Sequence, residues 1–303
     1  MAGEFEFIQW LRSQQPASAF VPIPAGDDLA VLRWDSRDLL LVGTDQVLDG
    51  VHFDSAVHSP RQIGRKVMNR NLSDCAAMAC LPAAAVATVA LPAGVGVDYA
   101  RELYLGLREA ADPFDCPIVG GDTGSWAGKL AFSVTILGKS AGLAPVRRGG
   151  AKAGDGLYVT GPLGGSIRGR HMTFTPRVRL ARELVQAGGI TAMIDLSDGL
   201  SRDLRHICRE SGVGAVIEAR DVPIHDHAVD LAAEEGVDSI DPSTLARDHA
   251  LNDGEDYELL FTGRPSALPP GVVRIGSIVE GPGIWLDDHG RRPLAARGWE
   301  HSL

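Results

Sequence analysis

The chain has 303 residues and a formal net charge of −10, from 29 basic and 39 acidic side chains. Hydrophobic residues make up 45% and charged residues 22%, an ordinary balance for a soluble globular protein of about two domains. The acidic excess speaks against a nucleic-acid surface. It also requires a cation wherever the chain meets an anionic ligand such as a phosphate.

The start, MAGEFEFIQWLRSQQ, is acidic and amphipathic and lacks the basic-then-apolar order of a signal peptide. No apolar run is long enough to span a bilayer, so the expected compartment is the cytoplasm, with no membrane partner. Glu4 to Gln14 reads as a short helix with Phe7, Ile8 and Leu11 on one side. Pro16, Pro22 and Pro24 make the next segment a loop. Leu29 to Arg33 and Leu39 to Val42 read as a strand pair joined by the turn-like Asp35-Ser36-Arg37.

Ser59 to Cys80 reads as a long helix, with Ser59 as N-cap and Pro60 in the first turn. Ile63, Val67 and Met78 form one apolar stripe, and Met68, Leu72, Cys75 and Ala79 the next. Arg65, Lys66, Asn69 and Ser73 take the opposite half of the wheel. Asp74 breaks the pattern by falling between Ile63 and Val67, with Asn71 one turn back. A carboxylate on a buried stripe must be paired, hydrogen-bonded or bound to a metal.

Further along, Ala84 to Leu91 is a strand, Asp98 to Ala111 a helix, and Pro117 to Val119 a short strand running into Gly120-Gly121-Asp122. Leu130 to Leu137 is another strand. The Gly, Ala and Pro-rich stretch Ala141 to Gly154 marks an approximate boundary between an N-terminal domain, 1–142, and a C-terminal domain, 143–303. Strands follow at Leu157 to Thr160, Thr191 to Ile194, Ala215 to Glu218, Tyr257 to Thr262, Val272 to Val279 and Gly283 to Leu286. Helices are expected near Pro176 to Gln186, after Asp198, and at Asp226 to Glu235. Strands and helices mix without regular βαβ alternation, so the class is α/β (mixed α+β) in two domains. The four cysteines, Cys75, Cys80, Cys116 and Cys208, have no C-x-x-C spacing and suggest neither zinc nor a redox dithiol.

Acids recur where an apolar run ends: Asp27-Asp28, Thr44-Asp45, Asn71 with Asp74, Gly121-Asp122, Asp195 with Asp198, and Glu255-Asp256. Taken singly, an Asp beside Gly reads as a turn residue or helix cap, and Asp198 or Asp122 fits that reading. Taken together, such carboxylates repel unless cations lie among them. Mg²⁺ suits this set, because it takes hard oxygen ligands and binds phosphates through one or two carboxylates. Neither a P-loop nor the H-R-D and D-F-G motifs of protein kinases are present. The glycine-rich loop Gly161 to Gly169 reads as a linker or tight turn.

The motifs GDDLAVL (26–32), TDQVLDGVHF (44–53), NLSDCAAMACLP (71–82), IVGGDT (118–123), RRGGAKAGDGLYVTG (147–161), IDLSDGL (194–200) and GEDYELLFT (254–262) are specific in order and spacing. On them the chain resembles, over nearly its whole length, the thiamine-monophosphate kinases of the aminoimidazole-ribonucleotide-synthetase-like superfamily. The resemblance implies ATP-dependent phosphorylation of thiamine monophosphate to thiamine diphosphate, with Mg²⁺. It implies an N-terminal α/β domain that pairs with its twin in a homodimer, the two sheets forming a barrel. It makes Asp28, Thr44, Asp45, Asp74, Asp122, Asp195 and Asp198 metal ligands. Tyr104, Gly121, Asp122, Arg148 and Ser197 become ATP contacts, and His52, Glu255 and Trp299 substrate contacts. From the residues alone, His52 reads equally as a surface histidine; Trp299 reads first as an anchor of the terminus; and Arg148 also fits a solvated surface charge.

Two stretches depart from the family pattern. LGGSIRGRHMTFTPRV, after the VTG motif, is compressed, so a helix there is shortened or lost. Asp253-Gly254 stands where Gly-Gly is usual and adds a charge beside Glu255. Both bear on the acceptor more than on ATP. The expected chemistry is direct in-line transfer to a phosphate that needs no general base. The alternatives are another ATP-using enzyme of the superfamily and a non-catalytic nucleotide-binding relative.

Overall fold

The computed structural model describes residues 22–23, 27–34, 38–236 and 241–299. The helix expected at Glu4 to Gln14, Pro16, Pro24, Gly26 and the turn at Asp35 to Arg37 lie outside the described residues. Two compact units are present, each mixed α/β as expected. The first contains Ala17–Ala144 with Met172–Val178, and the second contains Pro145–His171 and Arg179–Leu303.

The first unit is built on five strands: β1 (Ala30–Arg33), β2 (Leu39–Leu48), β3 (Leu81–Pro92), β4 (Ile118–Trp126) and β5 (Ala131–Lys139). Their order is β1-β2-β5-β3-β4. The β3–β4 pair is parallel and the others antiparallel. Phe132, Val134 and Ile136 of β5 are buried, while the alternating Ser133 and Thr135 are only half-buried. One sheet face is therefore covered and the other more open. Helix α1 (Pro60–Ala77) packs against β2, β3 and β5, and helix α2 (Gly96–Ala111) packs on α1.

Helix α1 starts as its sequence requires. The Ser59 hydroxyl accepts from the Gln62 N–H, and the Gln62 side chain accepts from the Ser59 N–H, a capping box. Its polar half, however, does not face water. Lys66, Asn69 and Ser73 are all buried, and only parts of the face, such as Arg65, reach solvent. The reason is that the helix is packed on several sides. Asn69 Nδ2 donates to the Phe174 carbonyl at 2.7 Å, so the returning segment Met172–Val178 covers that side. On another side α1 and α2 touch backbone to backbone. A Cβ on Gly64 would lie 2.0 Å from the Leu103 carbonyl oxygen, and one on Gly106 2.1 Å from that of Arg61.

Two strands run further than their apolar cores suggested. β2 continues through Thr44, Asp45 and Gln46, because it pairs with β5 from Leu40↔Lys139 to Leu48↔Ala131. β4 continues through Gly120-Gly121-Asp122-Thr123, held by its ladder to β3. Gly-rich polar residues have low strand propensity, so tertiary pairing decides here. The Gly121 position needs glycine, since a Cβ would meet the Ala87 carbonyl oxygen at 1.8 Å. Thr44, Asp45 and Asp122 thus lie within strands rather than at their ends.

The second unit holds a seven-stranded sheet of order β12-β11-β8-β10-β6-β9-β7. Its strands are β6 (Gly156–Val159), β7 (Ile190–Asp195), β8 (Gly214–Glu218), β9 (Leu259–Gly263), β10 (Val273–Val279), β11 (Gly283–Asp287) and β12 (Arg291–Pro293). Its helices are α3 (Val178–Ala187), α4 (Leu200–Ser211), α5 (Asp226–Glu235) and α6 (Pro242–Asn252). Leu157, Ile194, Leu204, Ile217, Leu260 and Ile275 belong to one buried core. Helix α6 was not foreseen, although Asp241 caps it and Pro242 opens it. Strand β12 was also missed. The compressed segment forms two 3₁₀ turns, Ser166–Arg168 and Arg170–Met172, with no α-helix before Val178. Among the described residues no helix is long and apolar enough to cross a membrane.

The close approach of α1 and α2 gives a stability test. Gly106→Ala should destabilise the protein by about 1–3 kcal/mol, because a methyl group must push two helix backbones apart. Chemical denaturation of parent and variant measures it, and an unchanged midpoint would contradict the packing described.

Candidate functional site

In the first unit the acids gather around the C-terminal half of α1. Leu29 is fully buried, its Cδ2 only 2.4 Å from where a Cβ on Gly43 would stand, and its N–H donates to Met78 Sδ at 3.2 Å. That seat brings Asp28 to α1, where carboxylate oxygens of Asp28 and Asp74 lie within 4.8 Å of each other. Asp74 is half-buried rather than fully buried. One turn back on α1, Arg70 Nε donates to Asp45 Oδ2 at 3.1 Å. Hard oxygen donors this close fit a divalent cation, and Asp45 shares its charge with a guanidinium.

Successive strand residues face opposite sides. Asp45 turns to α1, whereas Thr44 lies on the open face, with its hydroxyl 3.1 Å from that of Thr135 and 3.0 Å from the Val134 carbonyl oxygen. Asp122 sits on the far edge strand. In register, Asp45 lies level with Gly121 across β5 and β3. The backbones of Asp45 and Asp122 are therefore three strand spacings apart, roughly 14 Å. No single ion touches both.

Beside Asp122, β3, β4 and α2 enclose a pocket of about 310 Å³ lined by Ala87, Leu103, Tyr104, Gly121, Asp122 and Thr123. Three of the residues expected to hold ATP, Tyr104, Gly121 and Asp122, thus share one cavity. The Asp122 carboxylate accepts from the Thr123 N–H at 2.9 Å and remains exposed.

His52 follows β2. Its Nδ1 accepts from the Leu48 N–H at 3.0 Å, and its carbonyl accepts from the ammonium of Lys66, which is fully buried. A neutral ring so bonded carries its proton on Nε2.

In the second unit, the turn after β7 carries Asp195, Ser197 and Asp198. It is laced to the loop before β9. The Glu255 N–H donates to the Ser197 carbonyl at 2.7 Å, and the Tyr257 N–H to the Leu196 carbonyl at 2.8 Å. The Trp299 N–H donates to the Asp198 carbonyl at 3.2 Å. These contacts bring Asp195, Ser197, Asp198, Glu255 and Trp299 together. His52 belongs to the other unit. The loop is bent sharply, with Gly254, Glu255 and Tyr257 at φ of 76°, 52° and 51°. Left-handed conformations at Glu and Tyr are strained and cluster at functional sites.

Asp198 does not cap α4. The N-cap is Gly199, and the Asp203 carboxylate accepts from the Asp198 and Gly199 N–H groups at 3.1 Å each. Burial drives the Asp203 carboxyl well above its usual range, and Asp198 and Asp195 push it the same way, while Arg148 opposes them. Arg148 is thus near these acids and not a remote surface charge. Ligand atoms of Asp198, Asp203 and His206 lie within 4.8 Å of one another. The sequence reading missed Asp203 and His206, although the two stand at i, i+3 helical spacing just after Asp198.

All four cysteines are free and buried. Burial pushes the Cys116 and Cys208 thiols up to about 12, so they are inert rather than nucleophilic.

Comparison with known proteins extends this geometry. Residues 26–140 match the family model of the AIR synthase related protein, N-terminal domain, and residues 139–242 match its C-terminal domain. A thiamine-monophosphate kinase of Rhodopirellula baltica is 40% identical, covering 93% of this chain and 91% of the relative. The chain belongs to the thiamine-monophosphate kinase family. The thiamine-monophosphate kinase of Aquifex aeolicus is 30% identical over 99% of this chain and 98% of its own length. A solved structure of AaThiL complexed with AMPPCP and TMP superposes with a TM-score of 0.85 at 29% identity, covering 99% of this chain and 97% of that one. The mixed α/β two-domain fold is that of this family.

The proximity of Asp28 and Asp74 yields a prediction whose sign separates a metal ligand from a cap. A structural cap changed to Asn or Ala costs about 0.5–2 kcal/mol in any buffer. A carboxylate repelled by its neighbour stabilises the metal-free protein when neutralised. Asp74→Asn should therefore melt at the same or a higher temperature than the parent in chelator. It should lose most of the gain that Mg²⁺ with ATP gives the parent, about 2.7 kcal/mol at ligand a hundredfold above Kd. Melting curves in both buffers decide it. A variant that melts far lower in chelator yet gains as much from Mg²⁺-ATP makes Asp74 structural.

Proposed function

We propose that this chain transfers the γ-phosphoryl group of ATP to thiamine monophosphate, giving thiamine diphosphate. The observation that carries the reading is its identity of 40% to a thiamine-monophosphate kinase across 91% of that relative's length. Its alternatives, another ATP-using member of the superfamily or a non-catalytic binder, have no comparable support.

In this reading Tyr104 and Gly121 line the nucleotide pocket, and Arg148 and Ser197 contact the phosphates. Asp28, Thr44, Asp45, Asp74, Asp122, Asp195 and Asp198 hold magnesium. Thr44, Asp45 and Asp122 are spread over roughly 14 Å of sheet, which suits several ions along a polyphosphate better than one cage. Held by these carboxylates, magnesium would supply the positive charge that offsets the anions that must meet. His52 donates from Nε2 to the acceptor, Glu255 offers a carboxylate, and Trp299 covers the substrate. The acceptor oxygen is already ionised at neutral pH, so the residues position and neutralise rather than abstract a proton. Transfer is direct and in line. The enzyme works in the cytoplasm, where free thiols persist.

Purified protein with Mg²⁺ and ATP should convert thiamine monophosphate to the diphosphate, identified by chromatography and mass. ATP consumed only with a different acceptor, or not at all, sinks this reading.

The nucleotide-binding domain, 1–142 as read from the sequence, is also the dimerisation domain in this reading. Its support is the open sheet face, where Thr44, Gln46 and Thr88 are exposed, and edge strand β4, where Val119 and Trp126 are exposed. Five strands do not close a barrel, and a two-fold partner supplies the rest. Sedimentation at micromolar concentration should give twice the chain mass, and a stable monomer would count against the pairing.

A further inference from the structure

The two departures from the family pattern meet in space. The compressed segment after β6 lies against the loop before β9, joined to it bond by bond. The Gly164 N–H donates to both carboxylate oxygens of Asp256, at 3.0 and 3.1 Å. The Gly165 N–H donates to Asp253 Oδ2 at 2.8 Å. The Ser166 hydroxyl donates to the Glu255 carbonyl at 2.6 Å. Arg170 pairs with Asp256 at 2.6 Å and also donates to the Gly164 carbonyl at 3.1 Å. His171 Nδ1 stands 2.9 Å from Glu255 Oε2.

Each partner is suited to its place. Asp253 does not crowd Glu255 with a loose charge. It holds the Gly165 amide and lies 2.9 Å from His249 Nδ1. Glycine is required at 164 and 165, both at positive φ, where Cβ atoms would meet the backbones of Ala250 and of His227 and Ala228 at 2.4–2.6 Å. The His171 side chain is 2% exposed and that of Glu255 25% exposed. A buried imidazole therefore holds one oxygen of a carboxylate that is itself partly exposed. The Tyr257 hydroxyl donates to the second oxygen, Oε1, at 3.4 Å. The strained backbone at Glu255 and Tyr257 is fixed by these bonds rather than by its own preference.

We propose that Ser166 and His171 are positioning residues for Glu255, and that the shortened segment is a clamp, matched to Asp253, that sets this carboxylate toward the cationic ring of the acceptor. The proposal rests on the thiamine-monophosphate reading for the acceptor, but the clamp itself stands on the bonds above. Neither residue touches the acceptor in this account. Ser166 fixes the Glu255 backbone and His171 its side chain, so both act through one group.

The test is a double-mutant cycle on the full chain, with parent, His171→Phe, Glu255→Gln and the double variant. His171→Phe should raise KM for thiamine monophosphate roughly 10- to 100-fold, the worth of a hydrogen bond to a charged group, and leave KM for ATP within about twofold. His171→Asn keeps a donor near Nδ1 and should recover most of the loss. In the Glu255→Gln background, His171→Phe should add little, because acting through Glu255 makes the effects non-additive. Additive effects, or equal changes in both KM values, overturn the proposal. Ser166→Ala removes only a hydroxyl and replaces His171→Phe in the cycle if that variant does not fold. Amide hydrogen exchange over 253–257 is read in parallel without substrate. It should speed up in either clamp variant, and unchanged exchange overturns the clamp. A parent that makes no thiamine diphosphate defeats the acceptor assignment instead, and exchange then decides the clamp alone.

Discussion

Repulsion between carboxylates that the fold holds close is the constraint on which this protein depends. Asp28 and Asp74 have oxygens within 4.8 Å. At that range two like charges partly out of water repel unless a cation lies near them. The scaffold must therefore be stiff enough not to relieve the strain by moving apart. Helix α1 supplies that stiffness. It is capped at Ser59, locked to α2 at Gly64 and Gly106, and covered at Asn69 by the returning segment Met172–Val178.

The same logic runs through the second unit, with different means. Asp195 ends β7 and Asp198 sits on the turn after it, whose backbone is laced to a strained loop. Asp203, inside the following helix, accepts from the Asp198 and Gly199 amides while lying among them, and burial raises its carboxyl above the usual range. Nearby, burial pushes Asp256 up to about 7 against the opposing pull of Arg170 and the Gly164 amide. Carboxylates thus do two kinds of work within one unit. Asp203 and Asp256 are tied to backbone amides and shape loops, and ligand atoms of Asp198 and Asp203 lie within 4.8 Å of His206.

Buried polar groups that the sequence presented as surface carry much of the arrangement. Lys66 looked like part of a solvated helix face, yet its ammonium anchors the His52 carbonyl. His171 lay in a stretch read only as a shortened connection, yet it faces Glu255. Such groups are retained inside because each has a partner, without which burial is costly.

The sequence by itself determined the class, most elements and the family. The apolar periodicity of α1, the Ser59 cap, the strand cores and the ordered acidic motifs are local signals, readable because period and capping chemistry need no distant partner. It also singled out Asp74, whose misfit on an apolar stripe is a local contradiction. Tertiary structure decided the rest. It extended β2 and β4 through polar and glycine residues, because ladder bonds to β5 and β3 outweigh weak propensity. It placed Thr44 and Asp45 on opposite sheet faces, and it buried Lys66 and Asn69 by packing α1 on several sides. It assembled Asp203 and His206 with Asp198, and it joined the 164–171 segment to residues 253–256. These are contacts between residues as far as 105 positions apart, and side-chain pattern along a chain carries no signal for them.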